Sequence, residues 1–342
     1  MKPLIQPKRL ASGEKIATVS PCHGWAGDVE TKWKYDLGVS RLQELGLQVV
    51  AAPNSLRGSE FLSQNPAARA DDLQWAFENK EIRAIIANVG GNDSINVIPY
   101  IDPKIISNNP KIFIGYSDVM NLHLLCYQCG LSSFYGDNLL HPIADQSGWH
   151  AYSKKWFLKT LFDASPIGPI EPSPDWTFEP SDPVHREKKR AYSPNIGYEI
   201  IQGKGVATGR LIGGHTGILE LEGTCIALTA EEYEGAILFI EDIPEFYDEK
   251  GVRVFFEYLG QKGILQRLNG IILGKANENC SFSGRSQVIR QIVSEKYACS
   301  LPIVYGLNFG HSSPMFVLPY GALAEINCEK QTFSILESGV LA

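Results

Sequence analysis

The feature that most constrains this chain is the rhythm of its first 165 residues, where short β-rich runs alternate with helix-length amphipathic stretches. The runs are Lys15 to Ser20, Leu47 to Ala51, Arg83 to Val89 and Lys111 to Gly115. Helices are expected at about 29 to 45, 66 to 80 and 117 to 129, the second opened by Asn65-Pro66, a cap residue followed by a proline at the first helical position. Alternation of this kind specifies an α/β fold with an open parallel sheet flanked by helices.

Residues 166 to 197 break the rhythm. Seven prolines, from Pro166 to Pro194, interrupt any regular period, and Trp176, Phe178 and Tyr192 sit among them. A loop this long is disordered or functional, and its aromatics argue for function. From 198 to 342 the pattern is that of a smaller mixed α/β domain. It has Gly-rich β runs, the strand Ala236 to Glu241, a helix near 248 to 262, the strand Gly270 to Gly274, a helix near 283 to 298 and short closing strands. The expected division is a nucleophile domain at 1–165, an inter-domain substrate loop at 166–197 and a second domain at 198–342.

Composition removes several function classes. A chain of 342 residues with 44% apolar and 20% charged content buries a sizeable core, and it has no apolar run of membrane-spanning length. The opening MKPLIQPKRL lacks an apolar signal core, so the default compartment is the cytoplasm. A net charge of -7 gives no general attraction to nucleic acid. The one basic cluster, His185 to Arg190, reads as a solvated loop surface. Seven scattered cysteines, at 22, 126, 129, 225, 280, 299 and 328, make a poor disulfide framework. Cys126 and Cys129 have redox or zinc spacing, but they fall in an expected helix without a second pair. His23, His141 and His215 have no acidic or cysteine companions at ligand spacing, so metal catalysis is not expected.

The residues that could carry chemistry lie at strand ends. In Lys111 to Asp118 a buried-looking strand runs into Gly115-Tyr116-Ser117-Asp118 and then a helix, which lifts Ser117 above the sheet beside unpaired helix N–H groups. The pattern lacks the second glycine of a full nucleophile elbow, since Val119 stands there, and a serine so placed also serves as a helix cap. Gly90-Gly91 ends the preceding strand, where backbone N–H groups can approach a ligand closely. With the N–H of Asp118, Gly90 or Gly91 could hold an oxyanion. Glycine spacings for dinucleotides or phosphate loops are absent. A serine needs a base and a group to orient that base. His311, on the Gly-bracketed segment 306–314, stands out as the base, whereas His123 reads as a core residue. For the carboxylate, Glu241 ends an apolar strand where a charge needs a partner; Asp242 and Glu245 are alternatives.

These residues resemble the LD-carboxypeptidase family of serine peptidases, which includes murein tetrapeptide carboxypeptidases and microcin C self-immunity proteins. The resemblance is carried by Ile16 to Cys22, Ala67 to Leu73, Gly90-Gly91, Gly115 to Asp118, Leu238 to Asp242 and Asn308 to His311. It implies a triad of Ser117, His311 and Glu241, an oxyanion hole from Gly90, Gly91 and Asp118, and no cofactor. It also implies cytoplasmic homodimers and a flavodoxin-like or Rossmann-like first domain. The length and the loop place the chain nearer the microcin-immunity branch, in which loop aromatics stack on an adenine. Trp176 is then the expected platform, with Phe178 and Tyr192 the other aromatics of the loop. The expected reaction is cleavage of a peptide or aminoacyl-nucleotide-like amide through an acyl-enzyme. The alternatives are release of terminal D-Ala from a murein tetrapeptide, or a binding protein without turnover.

Overall fold

The computed structural model describes residues 3–182, 185–241, 248–276 and 282–342. Asp242, Glu245, Cys280 and Pro183 lie outside the described residues. The first half supplies strands β1 (Lys15–Val19), β2 (Gln48–Ala51), β3 (Ile82–Ala87), β4 (Ile112–Gly115) and β5 (Phe134–Tyr135). They lie in the order β2-β1-β3-β4-β5 and pair in parallel throughout. This is the doubly wound order in which the chain leaves β1 and β3 toward opposite faces, opening a crevice beyond the carboxyl ends of the strands.

The near-continuous apolar character of these strands follows from burial on both faces. Ala17, Val19, Ile85, Ala87 and Phe113 join one core cluster. Their sequence neighbours Ile16, Ala84, Ile86, Ile112 and Ile114 join the other. Helices Lys32–Gln43, Pro66–Glu78 and Met120–Gln128 match the expected segments with trimmed ends. Three further helices escaped the sequence reading: Gly58–Gln64, Pro103–Asn108 and Ala151–Leu161.

The later half forms β6 (Gly168–Ile170), β7 (Asp175–Trp176), β8 (Ser193–Pro194), β9 (Glu199–Gln202), β10 (Val206–His215), β11 (Ala236–Glu241), β12 (Gly270–Gly274), β13 (Ile303–Leu307), β14 (Leu318–Pro319), β15 (Leu323–Asn327) and β16 (Thr332–Ile335). Eight of these make a mixed sheet in the order β6-β16-β15-β10-β11-β12-β13-β9, parallel from β10 to β13 and antiparallel toward both edges. Two elements cross the expected boundaries. β6, from the segment read as a loop, is an edge strand of this second sheet, and β14 turns back to pair antiparallel with β5 in the first. Both are two- or three-residue pairings set by distant partners, so no local periodicity announces them. A single core cluster runs from Ile85 and Phe113 of the first sheet to Leu211, Phe239 and Ile272 of the second, which brings the carboxyl ends of β4, β11 and β13 to one cleft. No helix among the described residues is long and apolar enough to cross a membrane.

Candidate active site

Ser117 begins a short 3-10 turn that continues into helix Met120–Gln128. Its φ of 66° is in the left-handed region, which a residue with a side chain occupies only when its surroundings hold it there, at about 1–3 kcal/mol. Three groups do the holding. The Ser117 N–H donates to the Tyr135 hydroxyl at 3.0 Å. Just upstream, the Gly115 carbonyl accepts from His123 Nε2 at 2.8 Å, while His123 Nδ1 accepts from Ser133 Oγ at 2.9 Å. Burial lowers the His123 pKa to about 3, so the ring stays neutral with its proton on Nε2. The third is Gly90: a Cβ there would stand 2.8 Å from Ser117 Cβ, so only glycine lets the β3 turn pass beside the serine.

The turns after β1, β3 and β4 are tied together by charge. Asp118 accepts from the N–H of Asp93 at 3.0 Å and of Ser94 at 2.9 Å, and its carbonyl accepts from Ser94 Oγ at 2.7 Å. Arg69, 1% exposed, pairs bidentately with Asp93 at 2.9 and 3.0 Å and donates to the carbonyls of Pro21 and Cys22. The Asp118 side chain is thereby committed to the backbone of a neighbouring turn.

Glu241 closes β11 and is fully buried. One oxygen, Oε2, accepts from His311 Nδ1 at 2.6 Å and from the His311 backbone N–H at 2.7 Å; the other, Oε1, accepts from the Tyr135 hydroxyl. Burial pushes this carboxyl up, but the charge and hydrogen bond of His311, the charge of His215 and the Tyr135 bond outweigh it and hold it below the usual glutamate value. An ionised carboxylate only accepts, so Nδ1 carries the His311 proton and Nε2 presents its lone pair. That lone pair lies 3.1 Å from Ser117 Oγ. The close approach needs Gly310, whose φ is 81° and where a Cβ would fall 2.1 Å from Glu241 Oε2.

His311 divides the cleft. On one side is a cavity of about 450 Å³ lined by Trp25, Tyr116, His141, Phe178 and Arg190 among others. On the other is one of about 480 Å³ lined by Gly91, Asn92, Ser117, Asn121, His215 and Glu220 among others. Tyr116 packs edge-on against His311, ring centroids 5.4 Å apart. The structure thus brings Ser117, His311, Glu241 and the Gly90, Gly91 and Asp118 turns together.

Trp176 lines neither cavity. It lies in β7 opposite Ser193, and its ring is covered by the Lys275 ammonium at 4.5 Å. The next residue, Thr177, is fastened to Ser313 by two backbone hydrogen bonds, 2.7 and 2.9 Å, and Phe178 reaches the cavity instead. The basic cluster also divides: 185–189 are exposed, but the Arg190 side chain is only 8% exposed, ion-paired to buried Asp145 and hydrogen-bonded to Ser313 Oγ at 2.8 Å. A buried partner far along the chain overrides what a charge run suggests alone. His215, without acidic company in the local sequence, stands opposite Glu241 in the β10–β11 register. Sequence reasoning missed the roles of Tyr135, Tyr116 and Arg69; the usable signal for Tyr135 was a tyrosine in a buried strand, whose hydroxyl must find a partner. Among the described residues no group of three or more His, Cys, Asp or Glu is placed to hold a metal ion.

With that geometry in view, two family models match the chain: the LD-carboxypeptidase N-terminal domain over residues 16–136 and the LD-carboxypeptidase C-terminal domain over 208–326. The chain is 29% identical to the microcin C7 self-immunity protein MccF of Escherichia coli, covering 96% of this chain and 94% of that one. It is 28% identical to a probable murein peptide carboxypeptidase of Bacillus subtilis, covering 98% and 95%. Among solved structures, an MccF-like protein from Streptococcus pneumoniae in complex with AMP superposes with a TM-score of 0.85 at 28% identity, over 94% of this chain and 98% of that one. Models for both halves match in order and the relatives span almost the full length, so the chain belongs to the LD-carboxypeptidase family of peptidases.

Proposed function

We propose that this protein is a serine carboxypeptidase or amidohydrolase that cleaves a peptide-like amide through an acyl-enzyme, with Ser117 as nucleophile, His311 as base and Glu241 as the group that orients the base. One observation carries the reading: Ser117 Oγ lies 3.1 Å from a His311 Nε2 whose opposite nitrogen is fixed on a buried carboxylate. In the first step Nε2 takes the serine proton as Oγ attacks the carbonyl carbon. The imidazolium then gives that proton to the departing amine, and a water activated by the same nitrogen hydrolyses the ester. The Ser117 N–H is engaged by Tyr135, which leaves the backbone N–H groups of Asp118 and of Gly90 or Gly91 as the oxyanion donors.

Two cavities meeting at His311 suit a substrate that straddles the scissile bond. The first is walled by Trp25, Tyr116 and Phe178, flat rings suited to stack a planar leaving group. With the AMP held by the streptococcal relative, this favours an aminoacyl-nucleotide-like amide, as in microcin immunity. Phe178, rather than the expected Trp176, then supplies the loop's stacking surface. A second reading, release of terminal D-Ala from a murein tetrapeptide, rests on the equally similar Bacillus relative.

The test incubates the pure protein with each substrate and identifies products by mass spectrometry, beside Ser117→Ala. The variant is expected to lose on the order of 10³ to 10⁶ in kcat. Full turnover by Ser117→Ala would refute the nucleophile, and failure of a serine-directed phosphonate probe to label folded wild-type protein would favour a binding protein.

A further inference from the structure

The hydrogen bonds of the site do not end at Glu241. Its Oε1 continues to the hydroxyl of Tyr135, the last residue of β5, and that hydroxyl accepts the backbone N–H of Ser117 at 3.0 Å. The chain of contacts is therefore a closed ring: Ser117 Oγ, His311 Nε2, His311 Nδ1, Glu241 Oε2, Glu241 Oε1, Tyr135 hydroxyl and back to Ser117 N. Two members come from the first sheet and its turns, two from the second.

We propose that Tyr135 is a positioning residue that sets both the basicity of His311 and the posture of Ser117, acting through the carboxylate on one side and the nucleophile's own amide on the other. The inference rests on the reaction proposed above and deepens it.

The direction of each bond is fixed by chemistry. Glu241, ionised, can only accept, so the phenol donates to it and has its lone pair left for the serine N–H. Burial first, then the Glu241 charge, raises the Tyr135 pKa, so the phenol keeps its proton at any working pH. A donor on Oε1 draws electron density from the carboxylate and makes it a weaker partner for the imidazolium. The serine N–H, meanwhile, has an acceptor that does not depend on substrate, which keeps the left-handed turn in place between turnovers. At 1% exposure Tyr135 is covered by its neighbours, so the influence of its hydroxyl passes through these two hydrogen-bond partners.

Tyr135→Phe keeps the ring and removes the hydroxyl. The expected result is a fall in kcat of about 10- to 100-fold, the range for a hydrogen bond to a charged group, with KM little changed. The acid limb of the kcat/KM profile should move to higher pH, because a more basic Glu241 raises the pKa of the imidazole that must be neutral to act. His215 faces Glu241, His141 and Arg190 lie toward His311, and Tyr116, His123 and Tyr320 pack around it and Tyr135. All six are untouched by the substitution, so the shift reports the phenol.

The His311 titration followed by nuclear magnetic resonance needs no substrate. An upward shift there in Tyr135→Phe supports the positioning role even if Ser117 proves not to be a nucleophile, which separates the two failures. Unchanged kcat and an unchanged His311 titration in folded Tyr135→Phe would overturn the proposal. Should that variant not fold, a difluorotyrosine at 135, a stronger donor, is expected to move the titration downward; no movement would equally overturn it.

Discussion

The strand-end crevice and the loop wall facing it are built on different principles. Around Ser117, every neighbour is committed: Gly115 to His123, Asp118 to the amides of 93 and 94, Asp93 to Arg69, the serine N–H to Tyr135. The segment from Asp175 to Tyr192 is tied to the body instead by side chains reaching across from other segments: the Arg190–Asp145 ion pair, Asp175 on His150, Ser181 and Asp182 on Gln146, and the Thr177–Ser313 backbone hydrogen bonds, with 185–189 in solvent. Under the proposed reaction, the contrast separates chemistry from selectivity: the groups that fix Ser117 belong to the strand ends and their turns, whereas the anchors named for the wall are residues other than Phe178, whose ring lines the cavity.

The largest way to probe this contrast is acid. His123 has its pKa lowered to about 3 by burial, so folding stability is complete above the ordinary histidine value near 6.5 and drains as pH falls from there toward 3, because the unfolded state binds the proton first. The contribution is on the order of 4 kcal/mol at the lower limit. Urea melts at stepped pH should show it, and His123→Gln should flatten the slope over that interval while lowering stability at neutral pH. A slope that His123→Gln leaves unchanged would mean the crevice is less tightly sealed than its hydrogen bonds indicate.

Next in size is Gly90→Ala. Its new methyl falls 2.8 Å from Ser117 Cβ, and a displacement approaching about 1 Å at Ser117 should, under the proposed reaction, lower kcat by about 100-fold in a protein that still folds. The wall should respond more gently. Phe178→Ala is expected to raise KM about tenfold for an aminoacyl-nucleotide and to leave a tetrapeptide substrate unaffected, an effect of the size of one lost stacking contact. Trp176→Ala should alter KM less than about twofold, since the ring lines neither cavity and what it loses is an internal contact with the Lys275 ammonium. If Trp176 mattered more than Phe178, the assignment of the two sides of the loop would be reversed.

Much of this was legible in the order of residues, and what was not has a common cause. β1, β3 and β4 could be read from apolar runs because both of their faces are buried, which writes a strong local signal. Ser117, Glu241 and His311 could be singled out because each lies at or a few residues past the end of a strand, where the backbone turns and a polar group needs a reason to be. Helix Ala151–Leu161 escaped notice because its cap is His150, whose Nδ1 accepts from the Tyr152 N–H, an unusual residue in that role. The choice between Trp176 and Phe178 depended on the pairing of β7 with β8 and on Thr177 meeting Ser313, contacts more than 15 and more than 100 residues apart along the chain. Tyr135 was passed over because its two partners lie on separate sheets. Position in sequence reports exposure well; it reports meetings between distant segments only through residues whose chemistry demands company.

The two-residue strand β14 has a bearing on how the molecule comes into being. It completes the edge of the first sheet, yet it follows almost every strand of the second. A nascent chain leaving the ribosome must carry the earlier parallel strands with one border open until residue 319 has emerged. The border beside Tyr135 is therefore covered late in synthesis, after β11, which ends in Glu241, and the segment bearing His311 have been made.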